Sequence, residues 1–303
     1  MRVDSNPSHP LLYSTLESTK RRMADLEEKI VLGKRLIVPS DDPMASVCIQ
    51  RSERVEAAYA QYCKNIQGLN TRLSINEVHL DGMMQDLLQA QDLLVWGLNG
   101  VNSGRDLMAM EPSLRSVLES LFSMSNAQDQ EGHYLFSGTL VTTPTVSIDQ
   151  DQGVGARYRF SGNTHSQSVI VGYGMTQSPN VKLGDITALL NSLDGVVDVF
   201  QHGMPDPTDP RVNNTLRHAL GHVDDALQKI GGLVAELGSA QHRLQRISDS
   251  HGNIRLNHQN TMNELERLDY FKAFDSMNAY RFSLAASYKA YAKVSALTLF
   301  DLL

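Results

Sequence analysis

Apolar side chains return along most of this chain at alternating steps of four and three residues, the spacing of one face of a coiled-coil helix. In the first segment Leu12, Leu16, Thr19, Met23, Leu26 and Ile30 keep that step with one polar intruder. Gly33, followed by Lys34 and Arg35, supplies a C-terminal stop. Pro39-Ser40-Asp41-Asp42-Pro43 then opens a second helix. The Asp42 carboxylate accepts the orphan N–H groups of a first turn, and Pro43 stands where a missing N–H costs nothing. The seam that follows is the most regular in the chain: Val55, Tyr59, Tyr62, Ile66, Leu69, Leu73, Asn76, Leu80, Met83, Leu87, Ala90 and Leu94, with Asn76 its polar member. A helix from Pro43 to about Leu98 would be roughly 80 Å long at 1.5 Å per residue. Ordinary helices have about 11–12 residues, so a rod is predicted. A shorter helix opened by Pro112 carries Leu114, Val117, Leu121 and Met124.

The texture changes after Phe136-Ser137-Gly138. From Thr139 to about Gly174 the chain is rich in Thr, Val, Ser and Gly. Val146-Ser147-Ile148, Tyr158-Arg159-Phe160 and Val169-Ile170-Val171 read as short strands between turns. Weak helix returns near Ile186–Phe200, and the breakers from Gly203 to Pro210 close the insert. Heptads resume with Leu216, Leu220, Val223, Leu227, Ile230, Val234, Leu237, Gln241 and Leu244. A separate last helical stretch carries Met262, Leu265 and Leu268, then Tyr288, Tyr291, Val294 and Leu297.

The predicted fold is therefore mainly α with a β-rich insert: an elongated rod of long coiled-coil helices drawn from both termini, plus a small outer β domain. Residues 1–40 and 262–303 form a terminal assembly region, 41–138 and 211–261 the helical rod core, and 139–210 the insert. The terminal helices have only each other or neighbouring subunits to pack on. Ordering a residue costs about 1–2 kcal/mol, against about 1.5–3 kcal/mol for each leucine fully buried, so termini loose in a monomer and ordered in an assembly are expected. The predicted assembly interface is Leu12, Leu16, Met23, Leu26 and Ile30 with Tyr288, Tyr291, Val294, Leu297, Leu299 and Phe300.

Composition agrees with helical bundles. Of 303 residues 41% are hydrophobic and only 6% aromatic, with Trp96 the single tryptophan. The net charge of −7 opposes binding to nucleic acid or anionic membranes. The basic run Lys20-Arg21-Arg22 lies between Glu17 and Asp25 and reads as a solvated helix face. Cys48 and Cys63, 15 residues apart along one helix, would be roughly 22 Å apart at 1.5 Å per residue, beyond disulfide reach. No segment approaches the ~20 apolar residues of a membrane span, and the N-terminus lacks the layout of a cleaved secretory signal.

Enzymatic chemistry finds little footing. His218 and His222 have the i, i+4 spacing of a zinc pair, but Ala219 stands where a metalloprotease carries its general base. A zinc hydrolase using this pair is the enzymatic rival, and surface histidines are the plainer reading. Gly33-Lys34 lacks the rest of a phosphate loop, and Gly172-Tyr173-Gly174 is a turn rather than a dinucleotide motif. Asp41 and Asp42 read as helix caps rather than a metal pair, and Tyr288 and Tyr291 as packing rather than base stacking. No metal or cofactor is predicted.

Several stretches carry a resemblance. Lys29-Ile30-Val31-Leu32-Gly33-Lys34-Arg35-Leu36 with Pro39-Ser40-Asp41-Asp42-Pro43-Met44-Ala45 resembles the N-terminal motif of flagellin-like proteins. The proline-flanked Ser-Asp-Asp form is similar to the hook-associated protein 3 (FlgL) family of hook–filament junction proteins, whereas flagellins carry alanines at the positions of Pro39 and Pro43. Gly132 to Gly138, Val234 to Leu244 and Tyr291 to Leu303 are similar to that family's entry to the second domain, its third helix and its C-terminus. The resemblance implies a structural flagellar role, with Asp41, Asp42 and Pro43 in the family motif. It implies export without a cleaved signal through the flagellar type III apparatus to an extracellular site. Implied partners are the neighbouring hook-associated junction protein, flagellin, identical subunits in a ring, and a cytoplasmic export chaperone on the C-terminal helix. A major flagellin, or another type III-secreted coiled-coil structural protein, is the alternative.

Overall fold

The structure is a computed structural model and describes residues 8–184, 186–201 and 206–296, with side chains described between 13 and 293. Six helices and four short strands follow one another: α1 Ser8–Leu32, α2 Pro43–Gly97, α3 Gly104–Ser125, β1 Val146–Ile148, β2 Tyr158–Phe160, β3 Val169–Gly172, β4 Met175–Gln177, α4 Thr187–Gln201, α5 Pro210–Glu266 and α6 Tyr270–Ala296. The chain divides into two compact units, one of residues Met1–Ala58 with Asn253–Leu303 and one of Tyr59–Gly252. Both α2 and α5 contribute to each.

The Tyr59–Gly252 unit holds the main core. Every predicted seam position of α2 from Ile66 to Leu94 is buried, Asn76 included. The Asn76 amide donates to Pro179 O at 3.3 Å, which offsets part of the cost of burying it. Gln91 donates to Asp224 at 2.7 Å and Gln241 to Glu77 at 2.9 Å, so α5 runs antiparallel to α2. On α5 the deepest column is Leu216, Val223, Ile230, Leu237 and Leu244, one residue per heptad. The second column differs from the sequence expectation. Ala219, Ala226 and Ala240 are buried, while Leu220, Leu227 and Val234 are half-buried at its flank. An alanine leaves room for close helix approach, and the larger chains cover the margin. Ala226, for example, lies with Ile186 and Leu189 of the α4 side.

Three helices depart from the sequence reading. α3 begins eight residues before Pro112, at a capping box in which Ser103 Oγ accepts the Asp106 N–H at 3.4 Å and Asp106 Oδ2 accepts the Ser103 N–H at 2.8 Å. Pro112 sits inside this helix on its exposed side, where water replaces the lost bond, and Leu107, Met110, Leu114 and Leu121 stay buried on the other. α4 is no weak helix: Leu189, Leu190, Leu193, Val196, Val197 and Phe200 are all buried. α5 continues unbroken to Glu266, across a polar stretch that gave no heptad signal but holds no proline, and Gln245 supports Asp249 one turn on at 2.9 Å. The break falls at Arg267–Asp269, with Leu268 buried in the turn rather than in a helix. Of the predicted breaker cluster, Gly203, Met204 and Pro205 lie outside the described residues.

Two separate antiparallel hairpins make up the β structure, β1–β2 and β3–β4. The three predicted strands are present; β4 was not foreseen, being three residues with a single apolar side chain. Isolated two-stranded sheets are marginal and their open edges need closing. On the first hairpin two asparagines do this. Asn126 both donates to Val146 O (2.9 Å) and accepts its N–H (3.0 Å), and Asn191 does the same for Tyr158 (3.0 and 2.9 Å). Each amide side chain thus stands in for a strand residue. Asp194 of α4, buried, accepts the Gly155 N–H at 3.0 Å and pairs with Arg157.

The alanine column gives a test. Ala219→Leu forces an isobutyl group into a filled site and should cost about 1–3 kcal/mol. Leu227→Ala, at the flank, should cost less than the about 2–5 kcal/mol of a fully buried leucine. Thermal unfolding followed by circular dichroism should rank Ala219→Leu as the more damaging; the reverse order would put the packing weight on the flank.

Candidate assembly interface

In the unit formed by the two ends of the chain, α1 lies against α6. The sequence weighed against stable pairing of the termini; the structure pairs them, but incompletely. Leu16, Thr19, Met23, Leu26 and Ile30 all turn to the covered side, yet each remains half-buried. Among the described residues of this unit, only Ala45, Ile49, Leu268 and Ala273 are buried apolar side chains. A 4-3 seam that closes completely on α2 from Ile66 to Leu94 closes only halfway on α1.

On α6 the large apolar side chains left exposed are aromatic. Phe271 is 85% exposed and Phe282 79%, with Phe274 and Tyr270 about half exposed. Phe271 and Phe282 are 11 residues apart, three helical turns, so they line up on one side of α6. The sequence reading missed them because it followed the heptad through Tyr288 and Tyr291; the 11-residue step was the available signal. Tyr288 faces α1, with Lys20 Nζ 5.5 Å from its ring centre. Tyr291 is 41% exposed. The side chains of Leu12 and Val294, and residues Leu297, Leu299 and Phe300, lie outside what is described.

Between α1 and α2 the chain makes a tied joint. Gly33 takes φ +68°, the left-handed conformation that favours glycine, and its backbone lies beside the Tyr270 hydroxyl. Asp41 Oδ2 accepts the Ile37 N–H at 3.1 Å and pairs with Lys29 at 3.1 Å. Asp42 caps α2 with Oδ1 on the Ala45 N–H at 3.1 Å, while its Oδ2 takes Arg35 at 3.1 Å. Pro43 is the first residue of α2. Arg35 also reaches the end of α5, donating to Leu265 O from Nη2 at 3.1 Å, and its backbone N–H donates to Glu266 O at 2.7 Å. Lys34 pairs with Glu266 at 2.7 Å. The terminal carbonyls of α5, which a helix leaves without partners, are thus satisfied from the α1–α2 joint. Sequence reasoning read both aspartates as helix caps; Asp42 caps α2, whereas Asp41 closes the turn back to Ile37, and Arg35, whose acceptor is 230 residues away, was missed.

Several other titratable groups lie in turns or on the surface. His218 is exposed, His222 half-buried, and they share their surface with Arg217. The only triple of ligand-type side chains brought together among the described residues is Asp129, Glu131 and His133. There Asp129 Oδ1 accepts the N–H groups of Glu131 and His133, both at 2.9 Å, which is an Asx turn. Cys48 and Cys63 are free thiols. Among the described residues no helix is long and apolar enough to cross a membrane.

Residues 3–140 match the family described as the bacterial flagellin N-terminal helical region. The chain is 23% identical over 291 residues to flagellar hook-associated protein 3 of Escherichia coli K12, covering 91% of each. It is 22% identical over 318 residues to flagellar hook-associated protein 3 of Salmonella typhimurium, covering 100% of this chain and 99% of the relative. A Vibrio parahaemolyticus protein solved as a flagellar hook-associated protein shares 31% of its residues and superposes with a TM-score of 0.68, over 75% of this chain and all of that one.

The joint should be sensitive to acid. The Ile37 N–H and then Lys29 hold the Asp41 carboxyl below the usual carboxylate range. The Ala45 N–H and then Arg35 do the same for Asp42. A depressed folded-state pKa contributes stability above the unfolded value of about 3.9 and loses it as pH falls through the folded value. Hydrogen-exchange protection of the Ile37 and Ala45 amides should therefore hold from neutral pH to about 4 and fall below that. Asp42→Ala should abolish the Ala45 protection at every pH; protection unchanged in that variant would mean the carboxylate does not cap α2.

Proposed function

Since this chain belongs to the hook-associated protein 3 (FlgL) family of flagellar hook–filament junction proteins, we propose that it adapts one helical lattice of the flagellum to another through helix surfaces that a single copy leaves half covered. It is a structural component of the bacterial flagellum and associates with hook and filament components. Pro39 and Pro43 in the motif, and the Leu299-Phe300-Asp301-Leu302-Leu303 ending, favour the junction over the filament subunit.

In this reading, residues 1–40 and 262–303 are the assembly region, 41–138 and 211–261 the helical core domain, and 139–210 an insert domain. Leu12, Leu16, Met23, Leu26 and Ile30 with Tyr288, Tyr291, Val294, Leu297, Leu299 and Phe300 form the assembly interface. Asp41, Asp42 and Pro43 set the joint between assembly region and core. The chain leaves the cell through the flagellar type III apparatus without a cleaved signal, with an export chaperone on its C-terminal helix. It then forms a ring of identical subunits between the hook-side junction protein and the first flagellins. The observation that carries the reading is the contrast in burial: the seam of α1 is half covered and α6 presents Phe271 and Phe282 to solvent, while the α2 seam from Ile66 to Leu94 is closed. A fully buried leucine contributes about 1.5–3 kcal/mol, so completing the terminal seam in an assembly is a strong drive to associate.

Removal of Tyr291 to Leu303 should abolish assembly and leave the thermal midpoint of the core unchanged by circular dichroism. A large drop in midpoint would make the segment part of the folded core and remove its role as a free assembly surface. A strain lacking the whole chain should build hooks yet shed flagellin monomers into the medium; normal filaments in that strain would refute the junction role.

A further inference from the structure

The turn between α2 and α3 leaves two reactive groups side by side with no structural task. Asn99-Gly100 is the single Asn-Gly pair in the sequence, and both residues are exposed. Other groups close the turn around them. The Asn99 N–H donates to Trp96 O at 3.0 Å, and the Asn102 N–H donates to Asn99 O at 3.1 Å. The Asn102 side chain donates to the same Trp96 carbonyl and so satisfies the end of α2. Among the described residues, no hydrogen bond engages the Asn99 side-chain amide or the Gly100 N–H.

Other asparagines near it are tied. Asn102, Asn126 and Asn191 each donate to a backbone carbonyl, and each is followed by a residue with a side chain, Ser103, Ala127 and Ser192. The turn itself does not demand glycine at position 100. Its φ lies outside the left-handed region, and a Cβ there would meet nothing within 4 Å. What the missing side chain provides is an unshielded nitrogen and a backbone free to bring it against the Asn99 side chain.

These two groups are the partners of a ring closure. The Gly100 nitrogen attacks Asn99 Cγ, and the Cγ–Nδ2 bond breaks. The amide nitrogen leaves as ammonia, taking up through solvent the proton that the Gly100 N–H gives up. The product is a five-membered cyclic imide, which one water then opens. Opening at Cγ leaves aspartate with the main chain unchanged. Opening at the main-chain carbonyl leaves isoaspartate, whose backbone runs through Cβ and Cγ and is one carbon longer. We propose that Asn99 is a modification site of this kind, deamidating in the folded protein with the Gly100 amide nitrogen as nucleophile and water as co-reactant.

Either product alters the turn. The new carboxylate stands just past the last turn of α2, at the negative end of the helix dipole. In the isoaspartate the carbonyl that accepts the Asn102 N–H becomes the free carboxylate and leaves the main chain. The capping box of Ser103 and Asp106 follows directly, so the change falls on the link between two core helices. This chemistry is independent of any role at the junction.

The test uses full-length protein kept folded in mildly alkaline buffer. Peptide mapping by mass spectrometry should show amide-to-acid conversion at position 99, divided between aspartate and isoaspartate, ahead of every other asparagine. Hydroxylamine, which cleaves the imide, should cut the chain into residues 1–99 and 100–303. Gly100→Ala should keep the thermal midpoint, since the added Cβ meets nothing, and should slow the conversion about tenfold. A synthetic peptide of residues 94–105 serves as the unfolded reference. If the peptide converts while the folded protein keeps its amide, the fold protects the site and the proposal falls. Conversion spread evenly over other exposed asparagines, or undiminished in Gly100→Ala, overturns it as well.

Discussion

The packing of α2 against α5 within residues 59–252 is the constraint on which the rest of that unit depends. One leucine-type residue per heptad on α5 is buried in the same core as the closed seam of α2, with the alanines at 219, 226 and 240 buried beside them. Once those two helices are fixed, the polar demands of the β structure follow. Short strands cannot hold themselves, so their backbone groups are met by side chains projecting from helices: Asn65 from α2, Asn126 at the end of α3, Asn191 from α4 and His251 from α5. The short ladders of the insert are anchored by helices, alongside side-chain bonds of its own such as Asn163 to Thr139 and Ser147 to Ser161.

Much of this was legible in the sequence, for reasons that differ by element. The limits of α2 are set by chemistry local to them, Asp42 and Pro43 at one end and the glycine and asparagines near 97–100 at the other, and its seam is nearly all apolar. Three strands showed as short β-branched or aromatic runs between glycines. What stayed hidden depended on contacts between distant residues. A leucine and an alanine one position apart both satisfy a heptad, and only the approach of a second helix decides which is buried. Arg35 looks like an ordinary charged residue after a helix stop until the end of α5 is placed beside it. The continuity of α5 through its polar stretch was hidden for the opposite reason: a helix exposed on most sides has no period to read.

The same spacing rule produces two outcomes in one chain, and the difference is the number of partners. The seam of α2 from Ile66 to Leu94 is enclosed by α5, α3 and the insert, so every position is sealed. The seam of α1 meets α6 alone. Two helices in contact cover one stripe of each and leave the flanks wet, which is why Leu16, Met23, Leu26 and Ile30 all stop at partial burial. Adding apolar residues to α1 would not close that seam; only further helices laid along it would, and within the unit the helix packed closely along α1 is α6.

That shortage has a use. A surface complete in the monomer has nothing to gain from a neighbour, whereas one left half covered gains on each contact formed. The tied joint from Gly33 to Pro43 fits this logic. Its bonds are short and specific, joining Asp42, Arg35 and the last carbonyls of α5, and they fix where α1 leaves α2 without contributing apolar burial of their own. In the proposed assembly the joint sets direction and the exposed seam and aromatics supply the drive. Under the proposed function, separating these two tasks leaves the terminal helices to seek partners outside the chain while the Tyr59–Gly252 unit keeps its closed core.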